Sequence, residues 1–477
     1  MPLTILVDFG STYTKLTAVD LATGELIARV QSPTTVETDI TIGLDRARAE
    51  LTRVLGHPPA TDRILACSSA AGGLRLVAVG LVPELTAEAA KRAALGAGAK
   101  VLDVFSYQLS PAERRRLEAT APDLVLLAGG TDGGNKDVIL HNARILAEST
   151  VTAPIVVGGN KVVAEECGEI LAQAGKVVRV TENVMPELGK LNVDPARAAI
   201  RDVFIERIVH AKGLDKAQEI VGDILMPTPM AVLDGARLLA RGTPDEPGLG
   251  DLLLVDVGGA TTDVHSVAAG HPTTPGVQQK GLPEPEAKRT VEGDLGIRYN
   301  APHIVELAGE ARVRRAIAAA LGEIAVGDLI SRAGYLSQHV ETVPETAEDI
   351  AVDVGLARTA VEIAVERHAG VLEQYYLPGG RPAYMQYGKD LTAVSHVVAT
   401  GGVFAYGHAP EKMLAGALYD ESSPLSLRPK HPQFHVDGQY ILYAIGLLAD
   451  VAPTVALRIA KRHLRRVGDG ADAVRNQ

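Results

Sequence analysis

"ILVDFGSTYTKLTAV" occupies residues 5–19, and its reading decides the fold. An apolar run stops at Asp8, turns through Gly10-Ser11-Thr12 and then resumes. The stretch aligns without gaps to "LLVDVGGATTDVHSV" at 253–267. Leu254, Val255, Asp256, Gly258, Thr262 and Val267 there repeat Leu6, Val7, Asp8, Gly10, Thr14 and Val19. Taken singly, each copy reads as a hairpin, since Asp, Gly and Thr are common turn residues. Taken together, the two predict similar lobes that face one another.

The chemistry of such a turn follows from its residue types. A glycine without a Cβ lets backbone N–H groups approach an anion closely. Ser11, Thr12, Thr261 and Thr262 add hydroxyl donors. An aspartate ending a strand beside phosphate needs a cation between them, and Mg²⁺ favours one or two carboxylates plus waters. Two such turns would grip a polyphosphate and its magnesium from both sides. A P-loop or a dinucleotide-binding turn would open a helix, whereas "KLTAVD" and "DVHSVA" continue as strands. A third element, "SHVVATGGVFAYG" (395–407), ends a strand in Gly401-Gly402, where a flat base could lie against the backbone. "LVLLAGG" and "PIVVGGN" also end strands in paired glycines, so the pair alone reads equally as a tight turn into a helix.

The bulk composition limits the alternatives. With 477 residues the chain is too long for one core, so two or more domains are expected. Tryptophan is absent and aromatics make up 4%, which predicts an aliphatic core. A net charge of -11 gives no footprint for nucleic acid. Cys67 and Cys167 stand in no metal or redox spacing, which suits a reducing cytosol. No basic leader and no run of about 18 apolar residues occurs, so neither a signal peptide nor a membrane span is expected. The thirteen histidines form no H-x-H or H-E-x-x-H arrangement, and His265 reads as a satisfied structural histidine near the cleft. These features predict a soluble, cytoplasmic protein.

Between about 60 and 200, strand and helix patterns alternate. "KVLDVFSYQL", "DLVLLAGG", "PIVVGGN" and "KVVRVTEN" read as buried strands. "SPAERRRLEATA", "NKDVILHNARILAES" and "KVVAEECGEILAQAG" read as helices, the first two capped at Ser110 and Asn135. Alternation predicts a parallel sheet with right-handed crossovers, inserted into or extending the first lobe. No D-x-H-x-x-G string places a histidine to ligate cobalt, so no bound cobalamin is expected. "GGTDGGN" reads alternatively as an anion nest. Residues of about 303–390 carry helical spacing, and "RIAKRHLRRVGDGADAVRNQ" reads as a basic helix that frays.

These elements resemble the actin-like ATPase superfamily of actin, hexokinase and the heat-shock chaperones. "DFGSTYT" looks like its first phosphate motif, "DVGGATTDV" its second and "VVATGGVF" its adenosine motif. "PTPMAVLDGARLLARG" (227–242) and "YAIGLLA" (443–449, with Gly446 at a close-packing position) resemble its two connecting helices. The resemblance implies an α/β fold of two ribonuclease-H-like lobes, 1–246 and 247–477, with ATP and Mg²⁺ between them. The first lobe would be extended and the second partly helical. Asp8, Asp256 and Asp263 would hold magnesium, with Asp256 also placing the attacking water. Gly10, Ser11, Thr12, Gly258, Gly259, Thr261 and Thr262 would cradle phosphates, and Gly401 and Gly402 the adenosine. Chaperones carry a glutamate where Met226 stands, which leaves the water-positioning acid unassigned. "TVEGDLGIR" (290–298) offers Glu292 and Asp294 in its place, or a solvated surface turn.

Within the superfamily the chain is most similar to the glutamate mutase accessory family named MutL, unrelated to the mismatch-repair protein. "LAGGTDGGNKD" (127–137), "TVEGDLG" (290–296) and the length carry this likeness. It implies a slow Mg-dependent ATPase whose partners are the subunits of an adenosylcobalamin-dependent mutase, reactivated by exchange of damaged cobalamin. A small-molecule kinase on the same fold is the alternative, and a nucleotide-gated filament former a third reading.

Overall fold

A computed structural model describes residues 3–35, 39–69, 74–211, 221 and 224–469. The first copy of the repeat forms β1 (Leu3–Phe9) and β2 (Tyr13–Asp20), followed by β3 (Glu25–Pro33), helix α1 (Ile40–Leu55) and β4 (Thr61–Ser68). All seven residues of β1 are buried. Its Ile5, Val7 and Phe9 enter the core beneath α1, and its Leu6 enters a second core on the opposite face. Burial on both faces explains an apolar run with little alternation.

After β4 the chain leaves this sheet. β5 (Arg75–Val79), α2 (Glu88–Gly96), β6 (Lys100–Phe105), α3 (Pro111–Thr120), β7 (Leu124–Leu127), α4 (Asp137–Glu148), β8 (Ile155–Val157), α5 (Ala164–Gln173) and β9 (Val178–Val180) build a separate, all-parallel sheet. Its strand order, β6-β5-β7-β8-β9, is that of a doubly wound domain whose second strand lies outside the first. The expected alternation is therefore present, confined to a narrower span than 60–200. β5 is a strand the sequence reading did not name. Ser110 forms a capping box with Glu113, and Asn135 Oδ1 accepts from the Val138 amide at 3.1 Å, as those helix starts require. "GGTDGGN" is not an open nest: Asn160 Oδ1 takes the Gly133 amide, and Asn160 Nδ2 donates to the carbonyls of Gly134 and Asn135.

α6 (Asp194–Ala211) returns the chain to the first sheet, where β10 (Ile224–Pro227) completes the order β3-β2-β1-β4-β10. After α7 (Thr228–Arg241), the second copy forms β11 (Leu252–Val257) and β12 (Thr262–Val267), joined by β13 (Ala287–Glu292). β14 (His396–Thr400), β15 (Gln433–Asp437) and β16 (Leu464–Asp469) complete the order β13-β12-β11-β14-β15-β16. In both sheets the first two pairings are antiparallel and the next two parallel. The protein is thus an α/β fold of two ribonuclease-H-like lobes with an extended first lobe.

α8 (Ala301–Ala308), α9 (Glu310–Leu321), α10 (Leu329–Gln338) and α11 (Ala347–His368) supply the helical part of the second lobe. This part ends before the expected residue 390, because residues 371–376 and 382–387 pair as an antiparallel hairpin. The basic tail also differs: α13 (Pro453–His463) gives way to β16, and residues 470–477 lie outside the described residues. Among the described residues no helix is long and apolar enough to cross a membrane.

The two sheets meet through a shared core of α7, α12 (Leu442–Leu448) and α13, into which Leu6 and Cys67 point from one lobe and Leu254 and Val398 from the other. α7 and α12 cross backbone to backbone. A Cβ on Gly446 would collide with the Ala231 carbonyl, and one on Gly235 would lie 2.7 Å from the Leu442 carbonyl oxygen. Gly446→Ala is expected to lower stability by at least about 2 kcal/mol in urea denaturation; an unchanged midpoint would show that the crossing can open.

Candidate functional site

Both turns close the same way. The Gly10 amide donates to the Tyr13 carbonyl at 3.1 Å, and the Gly258 amide to the Thr261 carbonyl at 2.9 Å, at matching positions of the repeat. The turns face each other: a Cβ placed on Gly259 would lie 3.9 Å from Thr12 Oγ1. Between them is a cleft of about 410 Å³. Asp8, Gly10, Ser11, Thr12, Asp256, Gly258, Gly259, Thr261, Asp263 and Gly402 line it, which brings most of the sequence-derived set together.

The hairpin registers set the electrostatics. In the first lobe Asp8 stands opposite Lys15, and in the second Asp256 stands opposite Asp263. Lys15 Nζ lies 2.8 Å from Asp8 Oδ2 and 4.1 Å above the Tyr440 ring. Burial opposes the lysine's charge, but Asp8 and Tyr440 outweigh it and hold the group above its usual range. Thr228 Oγ1, in the first turn of α7, donates to Asp8 Oδ1 at 2.6 Å. Both oxygens of Asp8 therefore already have protein partners.

Asp256 is the contrasting case. Its Oδ1 is buried without a hydrogen-bond partner. Burial, then the charges of Asp263, Asp8 and Asp437, push its carboxyl up to about 7, against an opposing contribution from Lys15. A buried, unpaired carboxylate oxygen facing a second carboxylate suits a hydrated cation. Among the described residues no group of three or more His, Cys, Asp or Glu is placed to hold a metal directly, so the fit is to an ion that keeps much of its water shell. Asp263 is less free: Arg289 holds its Oδ1 from Nε at 2.8 Å and Nη2 at 2.5 Å, while Thr261 Oγ1 donates to its Oδ2 at 3.1 Å.

The structure places four residues outside the role expected of them. Thr262 is buried, and its hydroxyl donates to the Leu295 carbonyl at 2.7 Å, away from the cleft. Glu292 is paired with Arg367 at 2.6 Å and does not line the cleft; Asp294 shares that arginine at 3.1 Å. Arg367 lies far along the chain, so no local signal announced the pairing. Gly401 lies at φ 110° against the Val257 carbonyl, 3.2 Å (by its virtual Cβ) from Asp256 Oδ1, so it fixes the strand end while Gly402 faces the cleft. Of the two other acids that line the cleft, Asp353 makes a bidentate pair with Arg298 at 2.7 and 2.9 Å, while Glu341 is exposed. Met226 is buried in the core between the lobes.

"TVEGDLGIR" has a different task from supplying acids. The amides of Ile297, Arg298 and Tyr299 donate to the carbonyls of Gly258 and Gly259, and Asn300 Nδ2 donates to that of Ala260. The segment braces the second turn from behind. His265 lines the cleft floor with both ring nitrogens buried and unpartnered, unlike the satisfied histidine expected. Burial, then Arg289, keep it well below its usual range and hence neutral.

A family model described as MutL protein matches residues 4–464. The chain belongs to the MutL family. The Protein MutL of Clostridium tetanomorphum is 51% identical over 464 residues, which span 97% of this chain and 99% of that one. Among solved structures, the activator of the 2-hydroxyisocaproyl-CoA dehydratase from Clostridium difficile with bound ADPNP aligns over 96% of each chain, at 10% identity and a TM-score of 0.31. A diol dehydratase-reactivating factor in nucleotide-free form aligns over 94% of this chain and 99% of its own, at 11% identity and a TM-score of 0.36. The strand order of the two lobes, rather than these scores, carries the fold.

The raised carboxyl of Asp256 has a consequence for stability. With a folded value of about 7 against 3.8 for the free group, ionisation costs stability as pH rises between those values. In metal-free buffer Asp256→Asn is expected to exceed wild type by about 4 kcal/mol near pH 8, with the difference vanishing towards about pH 4. Chemical denaturation at both pH values checks this, and equal midpoints near pH 8 would contradict it.

Proposed function

We propose that this chain is an ATP-binding, slowly ATP-hydrolysing accessory protein that reactivates an adenosylcobalamin-dependent mutase by exchanging damaged cobalamin. The observation that carries the reading is the pair of facing glycine turns, with the orphaned Asp256 oxygen between them. Membership of the MutL family supports a partner enzyme rather than a small substrate.

In this reading Gly10, Ser11, Thr12, Gly258, Gly259 and Thr261 receive phosphate oxygens through backbone amides and hydroxyls. Lys15, which the sequence reading missed, brings a permanent positive charge to the same place. Asp256, through its unpartnered oxygen, and Asp8 would hold hydrated Mg²⁺, and Asp263, both of whose oxygens are engaged by Arg289 and Thr261, would add its charge to the surroundings of the ion. When bound, the ion neutralises phosphate charge and orients the chain of oxygens. Asp256, as the carboxylate with a free oxygen, orients the attacking water. Gly402 faces the adenosine. Cytoplasmic residence follows from the partner and substrate class.

Nucleotide can change the lobe arrangement only by binding one arrangement more tightly than another. Contacts across the cleft give it something to act on. Arg29 of β3 donates to the Tyr406 hydroxyl at 2.5 Å, joining the first lobe to the segment after Gly402. The backbone crossing of α7 and α12 limits where the lobes can pivot.

The test uses a mutase inactivated with cyanocobalamin. Incubation with this protein, ATP, Mg²⁺ and fresh coenzyme is expected to restore mutase turnover, and Asp256→Asn is expected to restore less than about one-tenth as much. No recovery with the wild-type protein sinks the proposal. ADP release that depends on an added sugar or acid would replace it with the kinase reading.

A further inference from the structure

Arg289 lies on β13, 5% exposed, and its planar guanidinium has partners on two sides. Nε and Nη2 hold Asp263 Oδ1, while Nη1 donates to the carbonyl oxygens of Leu95 at 3.2 Å and Ala99 at 3.1 Å. The Leu95 carbonyl lies in the last turn of α2, where the helix carries partial negative charge, and that of Ala99 in the short loop that follows. One cation thus bridges a carboxylate of the cleft and the inserted sheet's first crossover helix.

The neighbouring contacts define a seat for that helix. Arg92 of α2 donates to the Pro283 carbonyl at 2.6 Å and meets Glu284 at 3.1 Å. A Cβ on Gly293 would come within 2.7 Å of Lys100 Cε at the start of β6, so the glycine of "TVEGDLG" leaves room for the inserted sheet. Of these contacts, Arg289 is the one that also touches the cleft.

We propose that Arg289 is a positioning residue for Asp263 which, through the same guanidinium, couples Mg-nucleotide binding in the cleft to docking of the inserted sheet. The inference rests on the Mg-nucleotide reading above. The physical basis is competition for charge. A cation at Asp256 draws on the negative charge of Asp263, and the guanidinium then leans on the Leu95 and Ala99 carbonyls. Its five donors sit in a fixed fork, so a change on one side is felt on the other. Coupling of this kind is reciprocal: docking of α2 changes nucleotide affinity by the factor that nucleotide changes docking.

Hydrogen exchange of the full chain, with and without a saturating non-hydrolysable Mg-ATP analogue, reads the coupling directly, and calorimetry of the same samples reads binding. In wild type, peptides spanning residues 92–101 are expected to exchange about fivefold or more slowly when the analogue is bound. Arg289→Lys keeps the charge and loses the fork; it is expected to bind the analogue and lose that slowing. Arg92→Ala, at the same seat and outside the cleft, is expected to change analogue affinity by about threefold or more, and it decides the matter if Arg289→Lys does not fold. Analogue binding to wild type without slowing at 92–101 overturns this inference alone. So does a wild-type response in Arg289→Lys, or unchanged affinity in Arg92→Ala. Absence of binding to wild type overturns both this inference and the proposed function.

Discussion

Two carboxylates held opposite each other across one buried strand pair, Asp256 and Asp263, set the terms for the rest of the cleft. Like charges directly opposite on a sheet repel, and burial removes the water that would screen them. The first lobe avoids the problem by placing Lys15 opposite Asp8. The second lobe answers it only in part: Arg289 neutralises Asp263, and Asp256 keeps an oxygen with no partner. The two hairpins share a backbone and differ in the charge of one residue. That difference makes the cleft asymmetric, with a fixed cation on one side and an unpaired carboxylate oxygen on the other.

The backbone around this pair is heavily braced. Asp437, a third acid at a strand end, is satisfied by the amides of Ile441 and Leu442 and the Thr400 hydroxyl, and so starts α12 rather than adding a free charge to the cleft. The segment after β13 hydrogen-bonds to the second turn along its length. Rigid support lets the site keep an uncompensated carboxylate that a looser loop would relieve by moving.

The repeat was legible because a strand, an acid and a glycine turn are local features whose spacing survives in the sequence. Lys15 was legible too, in principle: once Gly10-Ser11-Thr12 is a tight turn, the register puts Lys15 opposite Asp8. Strand patterns after α11 were also present, since "VLEQYY" and "AYMQY" are rich in β-formers around "LPGGRP"; the helical run before them biased the reading. Thr228 and the true role of Glu292 were hidden for another reason. Each depends on a partner brought close only by folding, Asp8 in the one case and Arg367 in the other. The inserted sheet was visible as alternation, yet its contact with the cleft through Arg289 leaves no mark on the local pattern.

The core between the lobes also has a consequence for biogenesis. Leu6 and Cys67 face a layer whose other members include residues 441–460, and the Thr17 hydroxyl bonds that of Tyr443 at 2.8 Å. Both faces of the first sheet cannot be covered until nearly the whole chain has left the ribosome. During synthesis one apolar face of that sheet stays open, so the first lobe cannot finish folding as an independent unit. Contacts this distant in sequence close slowly and leave apolar surface exposed to aggregation meanwhile. A protein read here as serving another enzyme's maintenance is, on this account, itself a demanding client of the folding machinery.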